Sequence, residues 1–246
     1  GFNLYSGHTI ISNGVLELTG SLASTNILVA AGAFLDVSTL GTLFVNAGQT
    51  VGGNGTVRGS VDTSSGGAIA PGPSIGTLTV TNQATLGGIA RMEVDRNGGA
   101  FLADKLVAPT IVLGGMLKVV PVGAPLQIGD TFDLFDGALS GGFTTFDLGY
   151  YTWDTSQVAV NGTITVTGTV PLPTLTVTFD GFNLTLNTAG GIPNSSLAVV
   201  TSPDVNAPLD SWTTVLSDVF DPAGNYTTSI PVDTNTPQQF YAIRLQ

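Results

Sequence analysis

The sequence predicts an all-β chain in which a parallel β-solenoid (β-helix) is followed by a small antiparallel β-sandwich. Three observations lead there. The composition joins 33 glycines and 9% charged residues to a heavy load of Thr, Val and Leu, a mixture that favours short strands and turns. No segment carries more than two turns of 3.6-residue apolar periodicity with a cap at each end. The nearest, "AFLADKLVA" (100–108), lacks a C-cap glycine, so helix is a minor component. Finally, a Gly-x-Leu-x-Val pattern and its relatives recur as "GVLEL" (14–18), "AFLDV" (33–37), "GTLFV" (41–45), "GTVRG" (55–59), "GTLTV" (76–80) and "GMLKV" (115–119). Leu16, Leu35, Val57, Leu78 and Leu117 follow one another at steps of 19, 22, 21 and 39, the last close to two periods.

A step of roughly 20 residues is the mark of stacked coils. In such a stack alternate strand residues point inward onto their equivalents above and below, while glycines carry the backbone around corners at positive φ. Thr, Ser and Asn then hydrate the outer face without charge. An antiparallel sandwich whose strand spacing imitates a period is the alternative. The glycine-rich stretch 51–80 fits no nucleotide loop, because Gly53-Asn54-Gly55 is followed by Thr56, Val57 and Arg58 where a third glycine should fall. It also lacks the aspartate that a calcium-binding nonapeptide places after its glycines.

The segments "YSGHTIISNGVLELTG", "GGNGTVRGSV", "GGAIAPGPSIGTLTV" and "GDTFDLF" resemble the autotransporter-associated β-strand repeat of large secreted bacterial proteins, including those of Verrucomicrobia, over residues 3–166. "APGPSIGTLTV" is its most specific piece. The resemblance implies a right-handed solenoid exported to the cell surface or beyond, and implies no activity.

Between Phe132 and Trp153 lie seven of the nineteen aromatic residues. A solenoid must cover its last coil, and bulky rings do so efficiently, so the region of about 130–166 is expected to be a cap within a solenoid domain of residues 1–170. The competing reading is a sugar-binding platform made by Tyr150, Tyr151 and Trp153. "VAVNGTITV" (158–166) predicts a hairpin turning at Asn161-Gly162. Pro171 and Pro173 then mark a stiff connection and a domain boundary.

Beyond it, "LTVTFDGFNLTL" (175–186) predicts a hairpin turning at Asp180-Gly181. Further strands follow at 196–202, 212–218, 225–232 and 239–245, enough for a sandwich over 174–246. "AVVTSPDVNAPLDSWTTV…FYAIRL" is similar to C-terminal modules of secreted verrucomicrobial proteins, which implies a fibronectin- or immunoglobulin-like fold. Trp212 is read as core.

Fifteen Asp and two Glu face four Arg and two Lys, a net charge of −11. Such a chain repels phosphate backbones and anionic lipid, so neither nucleic acid nor a membrane surface is an expected partner. No stretch is apolar enough for a spanning helix. With no cysteine there is no disulfide, thiolate metal site or cysteine nucleophile. Residues 1–3 are neither a signal peptide nor an initiator sequence, and the expectation is a processed or truncated chain with its export signal upstream. The lone histidine, His8, reads as a surface imidazole. Asp130, Asp133 and Asp136 form the densest acidic cluster, but on one strand Asp133 would face away from the other two, so turn-flanking or surface positions are expected.

No enzyme, cofactor or metal site is expected. The sequence opens within the repeat pattern, where an uncovered first coil would offer unpaired backbone to another copy. The expected function is therefore that of an extracellular structural protein polymerised head to tail, with Phe2, Leu4 and Tyr5 at the joint. A carbohydrate-binding adhesin is the alternative, and a polysaccharide lyase or hydrolase the third reading.

Overall fold

Runs of three or four residues with alternating buried and outward side chains build the first part of the molecule. The computed structural model describes residues 3, 5–97, 100–169, 172–232 and 238–245. The chain divides into two units, Gly1–Val170 and Pro171–Gln246. Among the described residues there is no α-helix, only a short 3₁₀ turn at Leu209–Ser211.

In the first unit one sheet stacks Thr9–Ile11, Asn26–Val29, Thr50–Gly53, Ala68–Pro71, Ile89–Asn97, Met116–Val122 and Thr145–Asp147, parallel at every step. The second sheet has two arms. One stacks Val15–Glu17, Phe34–Asp36, Thr56–Arg58 and Thr77–Val80, the other Thr42–Phe44, Ser60–Asp62 and Gln83–Leu86. Both arms meet on Lys105–Leu113, whose first half pairs with Thr77–Val80 and whose second half pairs with Gln83–Leu86. Phe135–Gly141 lies beyond it. The chain thus visits the first sheet, one arm and the other arm before returning one strand along.

Register places like on like inside. Ile27, Val51, Ile69, Ala90 and Leu117 stand opposite one another along the first sheet, and Leu43, Val61, Ala84 and Ile111 along the second arm. All nine are buried. Each fully buried Leu, Ile or Val side chain stabilises the fold by about 1.5–3 kcal/mol.

The register corrects the periodicity in two places. Val57 stands opposite Val80 rather than Leu78, and Leu117 belongs to the first sheet, opposite Ala90. The Gly-x-Leu-x-Val pattern marks strands of both arms and of the first sheet, so it recurs more than once per level. Strands also lengthen to seven and nine residues, and Ala100–Ala103 folds back antiparallel on Ile89–Asn97, so later levels outgrow a 20-residue step.

At one corner Gly67 and Gly88 are needed for closeness rather than for positive φ, and Gly115 for both. Gly67 and Gly88, neither of them left-handed, and Gly115 each precede a strand of the first sheet. A Cβ on Gly67 would overlap the carbonyl oxygen of Val45, one on Gly88 that of Gly67, and one on Gly115 that of Gly88.

Toward residue 169 the pairing turns antiparallel, with Thr163–Thr169 between Thr131–Asp133 and Tyr151–Asp154. Phe132, Leu134, Phe135, Ile164 and Val166 join the same apolar core as the parallel strands. The expected hairpin at Asn161-Gly162 does not form. Residues 156–162 are turns, and Gly162, at φ +81°, lies so close to the backbone of Phe135 that no side chain fits.

The second unit holds two three-stranded antiparallel sheets. In one, Asn183–Ala189 lies between Thr174–Phe179 and Tyr226–Pro231; in the other, Ser196–Ser202 lies between Thr213–Val219 and Phe240–Leu245. Leu186, Tyr226 and Ile230 of the first sheet share a core with Leu197 and Val199 of the second. Asp180 closes the first hairpin by accepting from the N–H groups of Phe182 and Asn183, with Gly181 at φ +99°. Trp212 is buried, covers Ala198 and Val200, and donates its indole N–H to the Ala207 carbonyl.

Candidate association surface

Outward-facing residues change character along the parallel stack. In the first sheet Ile10, Leu28, Gly52 and Ala70 stand in register, and farther on Arg91, Lys118 and Asp147 do. In one arm Val15 and Phe34 give way to Thr56 and Thr79. In the other, Phe44 gives way to Asp62 and Thr85. The guanidinium of Arg58 lies 4.0 Å over the Phe34 ring and pairs with Asp36 at 3.5 Å, closing the apolar stretch on that arm. Ile10 is 61% exposed, Val15 54% and Phe44 62%. Scattered apolar residues are ordinary on a surface, but here all three strand series begin with one.

Among the described residues, the same levels include a strand paired on one side only. Thr42–Phe44 pairs with Ser60–Asp62 on one side, and on its other side lie residues 18–22, which form no strand. The gap is a recess of about 250 Å³ lined by Leu18, Leu22, Leu40, Leu43 and Phe44. The Gln49 amide donates to the carbonyls of Leu22 and Ser24 at 2.9 and 3.0 Å, supplying there what a neighbouring strand would.

Of the residues expected at a joint, Phe2 and Leu4 lie outside the described residues. Tyr5 is half exposed, and its hydroxyl lies 2.9 Å from that of Thr9, which in turn lies 2.6 Å from that of Ser24. His8 is exposed.

Tyr151 and Trp153 are brought together, their ring centroids 6.2 Å apart, and Phe132 lies 5.9 Å from Trp153. Both side chains are half-buried against the core with their polar atoms engaged. The Leu126 N–H donates to the Tyr151 hydroxyl, and the Trp153 indole N–H donates to the Leu148 carbonyl. Tyr150 is half-buried at the neighbouring turn, its phenol pushed up by burial and then by the Asp147 charge.

The acidic cluster is dispersed. Asp130 follows the turn at 128–129, as a turn-flanking residue, but is buried there, where it meets Arg96 at 3.0 Å and accepts the Gln127 N–H at 2.7 Å. The reason is that 130–136 is broken between two strands, Thr131–Asp133 and Phe135–Gly141, which leaves Asp130 at a strand entrance facing the Arg96 side chain. Asp133 pairs with Lys105, and Asp136 is exposed.

A further carboxylate, unremarked in the sequence, is fully buried. Asp104 Oδ1 accepts the Gly76 N–H at 2.9 Å and Oδ2 accepts the Glu93 N–H at 2.8 Å. It pins the loop that ends at Gly76 to the strand Ile89–Asn97. Its signal was alternation, since Asp104, Leu106 and Ala108 are all buried on one side of the strand entry. Among the described residues, no three Asp, Glu or His side chains gather closely enough to hold a metal ion.

In comparisons with known proteins, no family model and no curated sequence matches the chain.

Proposed function

We propose that the first unit is a right-handed β-solenoid of the autotransporter-associated kind, exported from a bacterial cell, and that its copies join end to end into an extracellular fibre or surface layer. The observation that carries this reading is the apolar-to-polar change along the outer faces, concentrated where one arm opens on an unpaired edge and an apolar recess. A strand edge without charge or proline, beside uncovered apolar side chains, is a template for another chain. The contact joins different surfaces of two copies and does not close on itself, so it grows into a filament. In this reading the antiparallel sheet of residues 131–169 is the cap that covers the opposite end of the core. The second unit is an immunoglobulin- or fibronectin-like sandwich carried along the fibre.

Electron microscopy of the full chain at neutral pH tests this. The wild-type protein is expected to form regular fibres or sheets, and the Ile10→Asp/Phe44→Asp double variant dispersed particles. Both positions face outward, so the variant's thermal midpoint should match the wild type to within about 0.5 kcal/mol of stability. Dispersed wild-type particles would reject the reading.

A further inference from the structure

From the second unit we infer a separate contact: two copies of this chain pair edge to edge through the strand Thr174–Phe179. This strand is an edge of its sheet and all six of its residues are exposed. Leu175, Val177 and Phe179 stand directly opposite Thr188, Leu186 and Leu184, so they share the face on which the unit's core is built. That core face continues onto the strand uncovered, with Leu175 42%, Val177 48% and Phe179 57% exposed.

The other three edges carry protection of the kind that prevents strand addition. Thr213–Val219 contains Asp218, Phe240–Leu245 contains Arg244, and Tyr226–Pro231 ends in proline. Thr174–Phe179 contains neither charge nor proline.

The occupant is a second copy because the strand complements itself. Antiparallel pairing centred on Val177 sets Val177 against the partner's Val177, Leu175 against the partner's Phe179, and Thr176 against the partner's Thr178. Apolar residues meet apolar ones on the inner face and threonines meet threonines on the outer. Charge selects the same arrangement. The chain carries −11, and the nearest charge to this strand is Asp180. In the antiparallel pair the two Asp180 carboxylates lie at opposite ends, six residues or about 20 Å apart, beyond the ~8 Å screening length of physiological salt. A parallel pair would bring them side by side. The result is a twofold, isologous contact that joins two second units through one continuous six-stranded sheet.

This contact does not depend on end-to-end joining, and the test separates the two. The chain has no cysteine, so single substitutions give clean cross-links. In the Ile10→Asp/Phe44→Asp background, Val177→Cys is expected to form a disulfide-linked dimer under mild oxidation, whereas Val215→Cys, equally exposed on the Asp218-bearing edge, is expected to stay monomeric. Without cysteine, the same background should sediment as a dimer and Val177→Lys should convert it to a monomer. A parent that sediments as a monomer, or Val215→Cys cross-linking as readily as Val177→Cys, would overturn the pairing. Wild-type protein that sediments as a dimer without forming fibres would reject only the solenoid joint.

Discussion

Replacing Gly88 by alanine is expected to destabilise the first unit by about 3 kcal/mol, the upper end of what overpacking a close-packed site typically costs. The added carbon falls on the carbonyl oxygen of Gly67, a backbone atom with no rotamer to escape through. That oxygen already accepts the Ile89 N–H at 2.9 Å, so moving it breaks a ladder bond. Moving Gly88 instead disturbs its own carbonyl, which accepts the Met116 N–H at 2.8 Å and lies where Gly115 leaves no space. Three successive levels are therefore coupled through one methyl group. Urea unfolding followed by Trp153 fluorescence in a Trp212→Phe background reads the first unit alone. Gly142→Ala is the control, since its new Cβ meets nothing within 4 Å and its φ is not left-handed. If Gly88→Ala unfolds at the same urea concentration as Gly142→Ala, the corner does not depend on close approach.

The same corner shows what the sequence revealed and what it hid. "LGG" stands at 86–88 and 113–115, directly before the strands that begin at Ile89 and Met116, and alternation shows which side chains turn inward, because period-two patterning survives any change in the length of a level. The spacing of Leu16, Leu35 and Val57 was legible for the same reason. Leu78 and Leu117 misled, because a level can lengthen without changing its motif, and a motif shared by the arms and the first sheet cannot say which strand series it marks. In the second unit Asp180-Gly181 and the later strands were readable as local chemistry. The candidate association surface was not, because Val15 and Phe44 fill the variable positions of the Gly-x-Leu-x-Val pattern, which the pattern leaves undefined. Ile10, Val15 and Phe44 acquire meaning only when register sets them against Leu28, Phe34 and Asp62. Asn161-Gly162 failed for a different reason. The local turn formed, but the residues before it, 156–160, are turns as well rather than a strand, so no tight hairpin closes there.

The first unit should lose stability as pH rises from about 4 to about 7, and Asp104 is the residue that makes it do so. Burial pushes its carboxyl up from the ordinary 3.8 to about 7, against the lowering effect of the bonds from the Glu93 and Gly76 N–H groups. Within that window the folded chain holds a proton that the unfolded chain has released. Stability must then fall with rising pH, by up to about 1.4 kcal/mol per pH unit for one proton. The contribution is complete below the unfolded value near 4 and gone above about 7. Asp36, Asp154, Asp180 and Asp221 act in the other direction: hydrogen bonds with neighbouring backbone or side-chain groups hold their carboxyls low, so what they add is lost only as pH falls below about 4. The two effects occupy separate ranges and can be read separately. Asp104→Asn, measured by Trp153 fluorescence in the Trp212→Phe background, should flatten the profile between about pH 4 and about pH 7. It should also be less stable than wild type at pH 5, because an amide offers one acceptor oxygen to two N–H donors, and a buried donor left unpaired costs about 1–3 kcal/mol. An unchanged slope in the variant would assign the proton to another group. A flat slope with undiminished stability would mean that the Gly76 and Glu93 N–H groups find other acceptors.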